Sequence, residues 1–357
     1  MPTTIIKVSM PTPPQRLFAS DNASGIHPAY LEAITHANDS HELAYGDDRF
    51  TPLAINAFGE LADCDVDVLF TFGGTGANIL ALAILLDRAE SVLCTEWSHI
   101  AVDETGAPER ILGVKLQTVV SPDGKLRPEQ IVSAANALGS IHHAQPGVVS
   151  ISQPTELGTL YTVAEIEALC ETAHQYGMRV HVDGARIANA VAAMGATREV
   201  FRAITFAAGV DALSFGGTKN AMLNAEAVLI APQYRGRRAQ YLHKQVTQLP
   251  SKMRFTSAQY VRAFSDDLWI STATAANTSA QALFEKAKTH VSLQIASPAV
   301  NSLFPIMLDP AKTKLQEWSF FWDWDIDRRQ VRWMTSWDTS PADIDAFIAG
   351  VDQVLGG

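Results

Sequence analysis

Three cysteines in 357 residues, Cys64, Cys94 and Cys170, are too few and too scattered to build a disulfide framework. Their number is odd and no CxxC pair occurs, so they read as reduced thiols rather than as zinc ligands. No apolar run approaches the ~20 residues that would span a bilayer, and a membrane partner is not expected. Positive charge is also scarce. With 27 basic residues against 38 acidic the net charge is −11, which argues against nucleic acid as the main partner. Any clustered cations must then serve a small anion. The opening stretch MPTTIIKVSMPTPPQR has neither the long apolar core nor the small-residue cleavage site of a signal peptide. It reads as an extended arm on another subunit or as a frayed tail, and the chain is expected in the cytoplasm.

What is present suits a large globular protein. A chain of this length buries most of its unfolded surface without staples and fits a large domain with a smaller one. From about residue 68 to residue 230 short apolar runs alternate with helical patterns: 68–72, 91–95, 147–152, 179–182, 212–215 and 227–230. Such alternation predicts parallel strands with crossover helices in a three-layer α/β domain. Thr162 and Glu165 form a capping box that opens a helix over 163–176, with Gly177 as its stop. Beyond residue 230 a basic stretch leads into a long Ala-rich helical region, about 257–290. Segments 301–308 and 330–337 then read as strands, and Ser340-Pro341 with Asp343 starts a last helix. The expected division is 31–254 for the large domain, with 1–30 and 255–357 forming the small one.

Three short segments carry chemistry. Phe215-Gly216-Gly217-Thr218-Lys219-Asn220 follows a strand, so Lys219 sits where α/β sheets bind ligands. Such a lysine could form a Schiff base with an aldehyde cofactor. In His181-Val182-Asp183-Gly184-Ala185-Arg186, strand alternation puts His181 and Asp183 on one face. A carboxylate there can keep a pyridine nitrogen protonated; a metal reading is poor, because no third ligand stands at a telling spacing. Phe72-Gly73-Gly74-Thr75-Gly76-Ala77-Asn78 joins a strand to an apolar helix, and free N–H groups at such a turn bind phosphate. Alone, a solvated lysine, a helix-capping aspartate and a tight turn would account for each segment. Together they describe three grips on one ligand.

With Phe18-Ala19-Ser20-Asp21-Asn22, Tyr45-Gly46-Asp47-Asp48, Ser98-His99-Ile100 and Val331-Arg332-Trp333, these segments make the chain resemble the low-specificity L-threonine aldolases. Those are fold-type I enzymes dependent on pyridoxal 5′-phosphate (PLP). The resemblance implies a mostly parallel seven-stranded sheet flanked by helices, a smaller α/β C-terminal domain and a homodimer or homotetramer with shared active sites. It implies that Lys219 carries PLP, that Asp183 pairs with the ring nitrogen, and that His99 stacks on the ring near the substrate hydroxyl. Gly74 and Thr75 would bind the phosphate, with Arg254 reaching it from a neighbouring subunit. Ser20, Arg186 and Arg332 would hold the substrate carboxylate, a task suited to the guanidinium fork. The implied reaction is retro-aldol cleavage of a β-hydroxy-α-amino acid to glycine and an aldehyde. L-threonine, L-allo-threonine and L-phenylserine all stay open as substrates, and a β-eliminating lyase or an aminotransferase is the alternative on the same fold. Two departures stand out. Well-known members often have a histidine after the threonine of the loop that here reads Gln153-Pro154-Thr155-Glu156-Leu157-Gly158, which makes Glu156 a second candidate for the base. The C-terminal region is also rich in tryptophan, and most of these residues are expected in the core.

Overall fold

Each apolar run between residues 68 and 230 forms a strand, because its side chains are covered on both faces. The strands are β1 (Asp67–Thr71), β2 (Glu90–Thr95), β3 (Lys115–Val119), β4 (Gln145–Ser152), β5 (Arg179–Gly184), β6 (Ala212–Gly216) and β7 (Glu226–Ile230). They make one seven-stranded sheet in the order β1-β7-β6-β5-β4-β2-β3. β3 is absent from the sequence expectation: it is an edge strand whose side chains are exposed or half-buried, so no apolar run marks it. β7 also departs from the parallel expectation, running antiparallel to both β6 and β1. The short link 217–225 is too small for a crossover helix, and a tight return forces the opposite direction.

The computed structural model describes residues 9–356, so the first half of the expected N-terminal arm lies outside the described residues. The chain falls into two units, Gly25–Thr274 and a smaller one made of Met1–Ser24 with Ala275–Gly357. In the large unit the helix Gly74–Leu85 is buried from Ala77 onward on every side. Its Leu80, Leu82 and Ile84 pack with Leu69, Val92, Val148, Val228 and Ile230 of the sheet. A second aromatic cluster, Phe58, Phe70, Phe215, Tyr260, Phe264 and Trp269, has ring centroids 4.8–6.2 Å apart. Each fully buried Phe is worth about 1.5–3 kcal/mol, so these two layers clamp the sheet and fix the positions of its strand ends. The expected helix over 163–176 is present as Val163–Gln175 with its capping box. The long helix expected over 257–290 is two helices, Arg254–Ser265 and Leu268–Ala287, broken where Asp267 takes a left-handed φ of 54°.

The small unit carries a three-stranded antiparallel sheet. Its strands are β8 (Ser302–Leu303), β9 (Trp322–Asp325) and β10 (Gln330–Met334), in the order β8-β10-β9. β8 is much shorter than the expected 301–308, since Pro305 cannot donate to the ladder. The helix Pro341–Leu355 starts on the Ser340–Asp343 capping box and packs Phe347 against Phe18, Phe321 and Trp333. Trp333 is fully buried, whereas Trp322 is half exposed.

Candidate active site

Strands β1 to β6 run in one direction, so their C-terminal ends share the edge at which α/β sheets take ligands. The antiparallel β7 brings Glu226 to the same edge, opposite Gly216 and Thr71. Two glycines let the strand ends come together there. A Cβ on Gly184 would stand 2.7 Å from Ser214 O, and one on Gly216 only 2.3 Å from Ala185 O. Backbone contact this close sets Asp183 beside the turn Thr218–Asn220 that carries Lys219. That turn is pinned: Asn220 Nδ2 donates to Trp269 O at 2.7 Å, and Thr218 Oγ1 accepts from Ala225 N at 3.1 Å.

Asp183 is buried, yet its carboxyl is held below the usual range. Burial pushes it up, but the charge of His99, the N–H of Ala185 (2.9 Å to Oδ1) and Lys219 outweigh that. Its other oxygen accepts from Asn78 Nδ2 at 2.8 Å. Beneath it on the same strand face His181 bridges Ser150 (2.9 Å) and Ser214 (3.0 Å); burial drives that ring down to about 4, so it is neutral. His181 thus serves the lateral packing of β4, β5 and β6.

His99 follows β2 and opens a short helical turn. Its Nδ1 lies 2.9 Å from Glu104 Oε1, and its backbone N–H donates to Glu156 Oε1 at 2.8 Å. The Glu104 hydrogen bond raises its pKa; burial and Lys219 oppose the rise and Asp183 adds to it. Glu156 also accepts from Ser152 Oγ at 2.7 Å, while its Oε2 is buried without a hydrogen-bond partner among the described residues. Burial lifts Glu156 to about 6 and Glu226 to about 7. Neither Glu104 nor Glu226 drew notice in the sequence. An acid five residues after a histidine, or one opening an apolar run, has no pattern to mark it.

One helical turn before Asn78 stand Gly74 and Thr75. Gly73 caps this helix with no side-chain hydrogen bond, and a Cβ on Gly73 or Gly74 would meet nothing within 4 Å. An uncapped first turn with room beside its glycines is what an anionic oxygen needs. Of the other sequence-predicted residues, Arg186 precedes the helix Ile187–Met194 in the large unit. Arg254 opens Arg254–Ser265, its guanidinium 4.8 Å from the Phe255 ring centre and its Nε buried without a partner among the described residues. Ser20 and Arg332 belong to the small unit. There Arg332 stacks on Trp324 at 4.5 Å and donates to Ala19 O at 3.4 Å, beside Ser20.

A lysine at a strand end, a buried ionised carboxylate and an uncapped helix N-terminus fit a flat, phosphorylated heteroaromatic aldehyde, which is the chemistry of PLP. The fold and these residues define a fold-type I enzyme. The chain belongs to the beta-eliminating lyase family, whose model matches residues 18–309. It is 40% identical over 342 residues to the low specificity L-threonine aldolase of Pseudomonas sp. (strain NCIMB 10558), covering 95% of this chain and 97% of that one. The low specificity L-threonine aldolase of Pseudomonas aeruginosa is 39% identical over 343 residues, 95% of this chain and 98% of that one. Among solved structures, the threonine aldolase of Leishmania major superposes with a TM-score of 0.87 at 30% identity, over 95% of this chain and 99% of that one. Mouse CSAD, at 15% identity and a TM-score of 0.76 over 95% of this chain and 84% of that one, shares the fold alone.

Proposed function

We propose that this chain is a PLP-dependent aldolase that splits a β-hydroxy-α-amino acid of the L-threonine or L-allo-threonine type into glycine and an aldehyde. The observation that carries the reading is the cluster of Lys219, Asp183 and His99 at one sheet edge, in a chain of threonine aldolase kinship. Lys219 would hold the cofactor's aldehyde carbon, Asp183 its ring nitrogen, and the N–H groups of Gly74 and Thr75 its phosphate. His99 would cover the ring, with Arg186 beside it and Arg254 supplied by a second copy of the chain. When bound, PLP supplies an electron sink for the pair left by the breaking Cα–Cβ bond.

The chain's own residues do the rest. Arg186, Arg332 and Ser20 are the groups suited to the substrate carboxylate, and fixing it selects which bond at Cα breaks. His99 takes the β-hydroxyl proton as that bond opens, with Glu156 as the second candidate. No described helix is long and apolar enough to cross a membrane, and a cytoplasmic homo-oligomer is the setting we propose.

The test is a product assay on L-threonine, L-allo-threonine and L-phenylserine. Glycine with the matching aldehyde is expected, and the relative rates assign the methyl or aryl preference. Keto acid without free glycine would instead make the enzyme a β-eliminating lyase or aminotransferase. Lys219→Ala is expected to lose the visible absorbance of bound cofactor and nearly all turnover; an intact band would remove Lys219 from its role.

A further inference from the structure

The His99 ring has a neighbour that the reaction outlined above does not use. Glu104 has a side chain with no exposure at all, and its Oε1 lies 2.9 Å from His99 Nδ1 and 2.9 Å from Asn78 Nδ2. Asn78 Nδ2 is also 2.8 Å from Asp183 Oδ2. Both neighbours of this amide are carboxyl groups, so only its NH₂ end can face them, and each N–H is committed to one acid. Glu104 Oε1 is therefore an acceptor toward Asn78. Toward His99 it has two possible roles. Serving as the donor would put a proton on the very oxygen that Asn78 already uses as an acceptor. The arrangement that leaves that oxygen a single role has His99 Nδ1–H donating to it.

We infer that Glu104 is a positioning residue that holds His99 in the tautomer with the proton on Nδ1, leaving Nε2 as the basic nitrogen that serves the β-hydroxyl. Asn78 extends the same device to Asp183, so the ring's orientation and the carboxylate for the cofactor nitrogen hang on one helix residue. The unsatisfied atoms support this reading. Glu104 Oε2 and Asn78 Oδ1 are both buried with no hydrogen-bond partner among the described residues. Leaving buried polar atoms unmet lowers stability. An apolar pair would avoid that loss but could neither orient His99 nor brace Asp183.

The proposal rests on the aldolase reading for its catalytic consequence but not for its tautomer. The charged groups facing His99 are Glu104, Asp183 and Lys219, with Glu156 on its backbone N–H. Glu104 raises the ring's basicity most. Removing its charge must lower that basicity, which moves the acid limb of the pH profile to lower pH while weakening the base.

The experiment compares wild-type holoenzyme with Glu104→Gln and Glu104→Asp. Glu104→Gln is expected to keep the cofactor's visible band and the circular dichroism of the wild type. Its kcat on L-threonine should fall roughly ten- to hundredfold, the scale seen when histidines that ligate metals lose their hydrogen-bonded partner, with KM nearly unchanged. Its acid limb should shift to lower pH, and Glu104→Asp should restore part of both. A fall in kcat with the limb unmoved, or no fall at all, overturns the proposal. Nitrogen chemical shifts of labelled His99 decide the matter without turnover: Nδ1 is expected to carry the proton in wild type and to lose that preference in Glu104→Leu, which offers no acceptor. A wild-type ring protonated on Nε2 alone overturns the proposal even if the variant does not fold. Wild type that yields no glycine from any substrate defeats the aldolase reading while leaving this measurement standing.

Discussion

Burial pushes the carboxyl groups of Glu226 and Glu156 up, to about 7 and about 6, and each links the site to stability. A carboxyl whose folded pKa lies above its unfolded value favours the fold while protonated. That contribution is complete below the unfolded pKa of 4.5 and is lost as pH rises through the folded value. For Glu226 the window runs from 4.5 to about 7. Glu226→Gln should therefore match the wild type at pH 4.5 in the cofactor-free protein, and gain on it as pH rises to 7.5. The gain should be on the order of 3 kcal/mol, at about 1.4 kcal/mol per pK unit. Thermal unfolding of both proteins across that range measures it. A constant difference would mean that folding leaves the pKa of Glu226 unshifted.

At the scale of elements the site depends on how closely β5 and β6 approach. The Cβ of Gly216→Ala would press into the backbone of Ala185, with nothing flexible to yield. The strand ends must then part, which should cost about 1–3 kcal/mol and pull Asp183 away from the Lys219 turn. Weakened PLP affinity together with a lowered Tm is the expected result, and unchanged values of both would show that the contact is not needed. Much of this was legible in the sequence. Apolar runs alternating with helical patterns gave six of the seven large-sheet strands, and the Thr162–Glu165 and Ser340–Asp343 boxes gave two helix starts. Elements with little to bury escaped. The edge strand β3 alternates lysine, glutamine and threonine with apolar residues, and β9 begins in two exposed residues. The first turn of the helix Gly74–Leu85 also escaped, since its glycines read as loop until the open space around them is seen. In the site, Lys219, Asp183 and the glycine turn were visible because their chemistry has a local pattern. Glu104 meets Asn78 from 26 residues away, and Glu226 reaches the edge on an antiparallel strand; no local pattern encodes either placement.

At the scale of the whole molecule, an acidic chain of net charge −11 concentrates basic residues in and around the helix Arg237–Thr247 and on to Arg254. The surface near Arg254 is a cavity of about 630 Å³ lined by Phe72, Leu223, Lys252 and Phe255 among others. Phe72 and Leu223 are exposed there, and Phe72 leads directly into Gly73 and Gly74. Apolar exposure that borders a phosphate cup, with an arginine whose Nε lacks a partner among the described residues, suits a cover supplied by a second copy. If Arg254 completes the neighbouring copy's site, Lys219→Ala and Arg254→Ala each disable the enzyme in a different way. A hybrid dimer of the two has one site with both defects and one with neither. Random reassociation makes half the dimers hybrid, so the mixture should recover roughly a quarter of wild-type activity. Separately, each variant should show almost none. If the mixture stays as inactive as its components, while sedimentation shows that hybrids form, Arg254 serves its own subunit and the shared-site proposal falls.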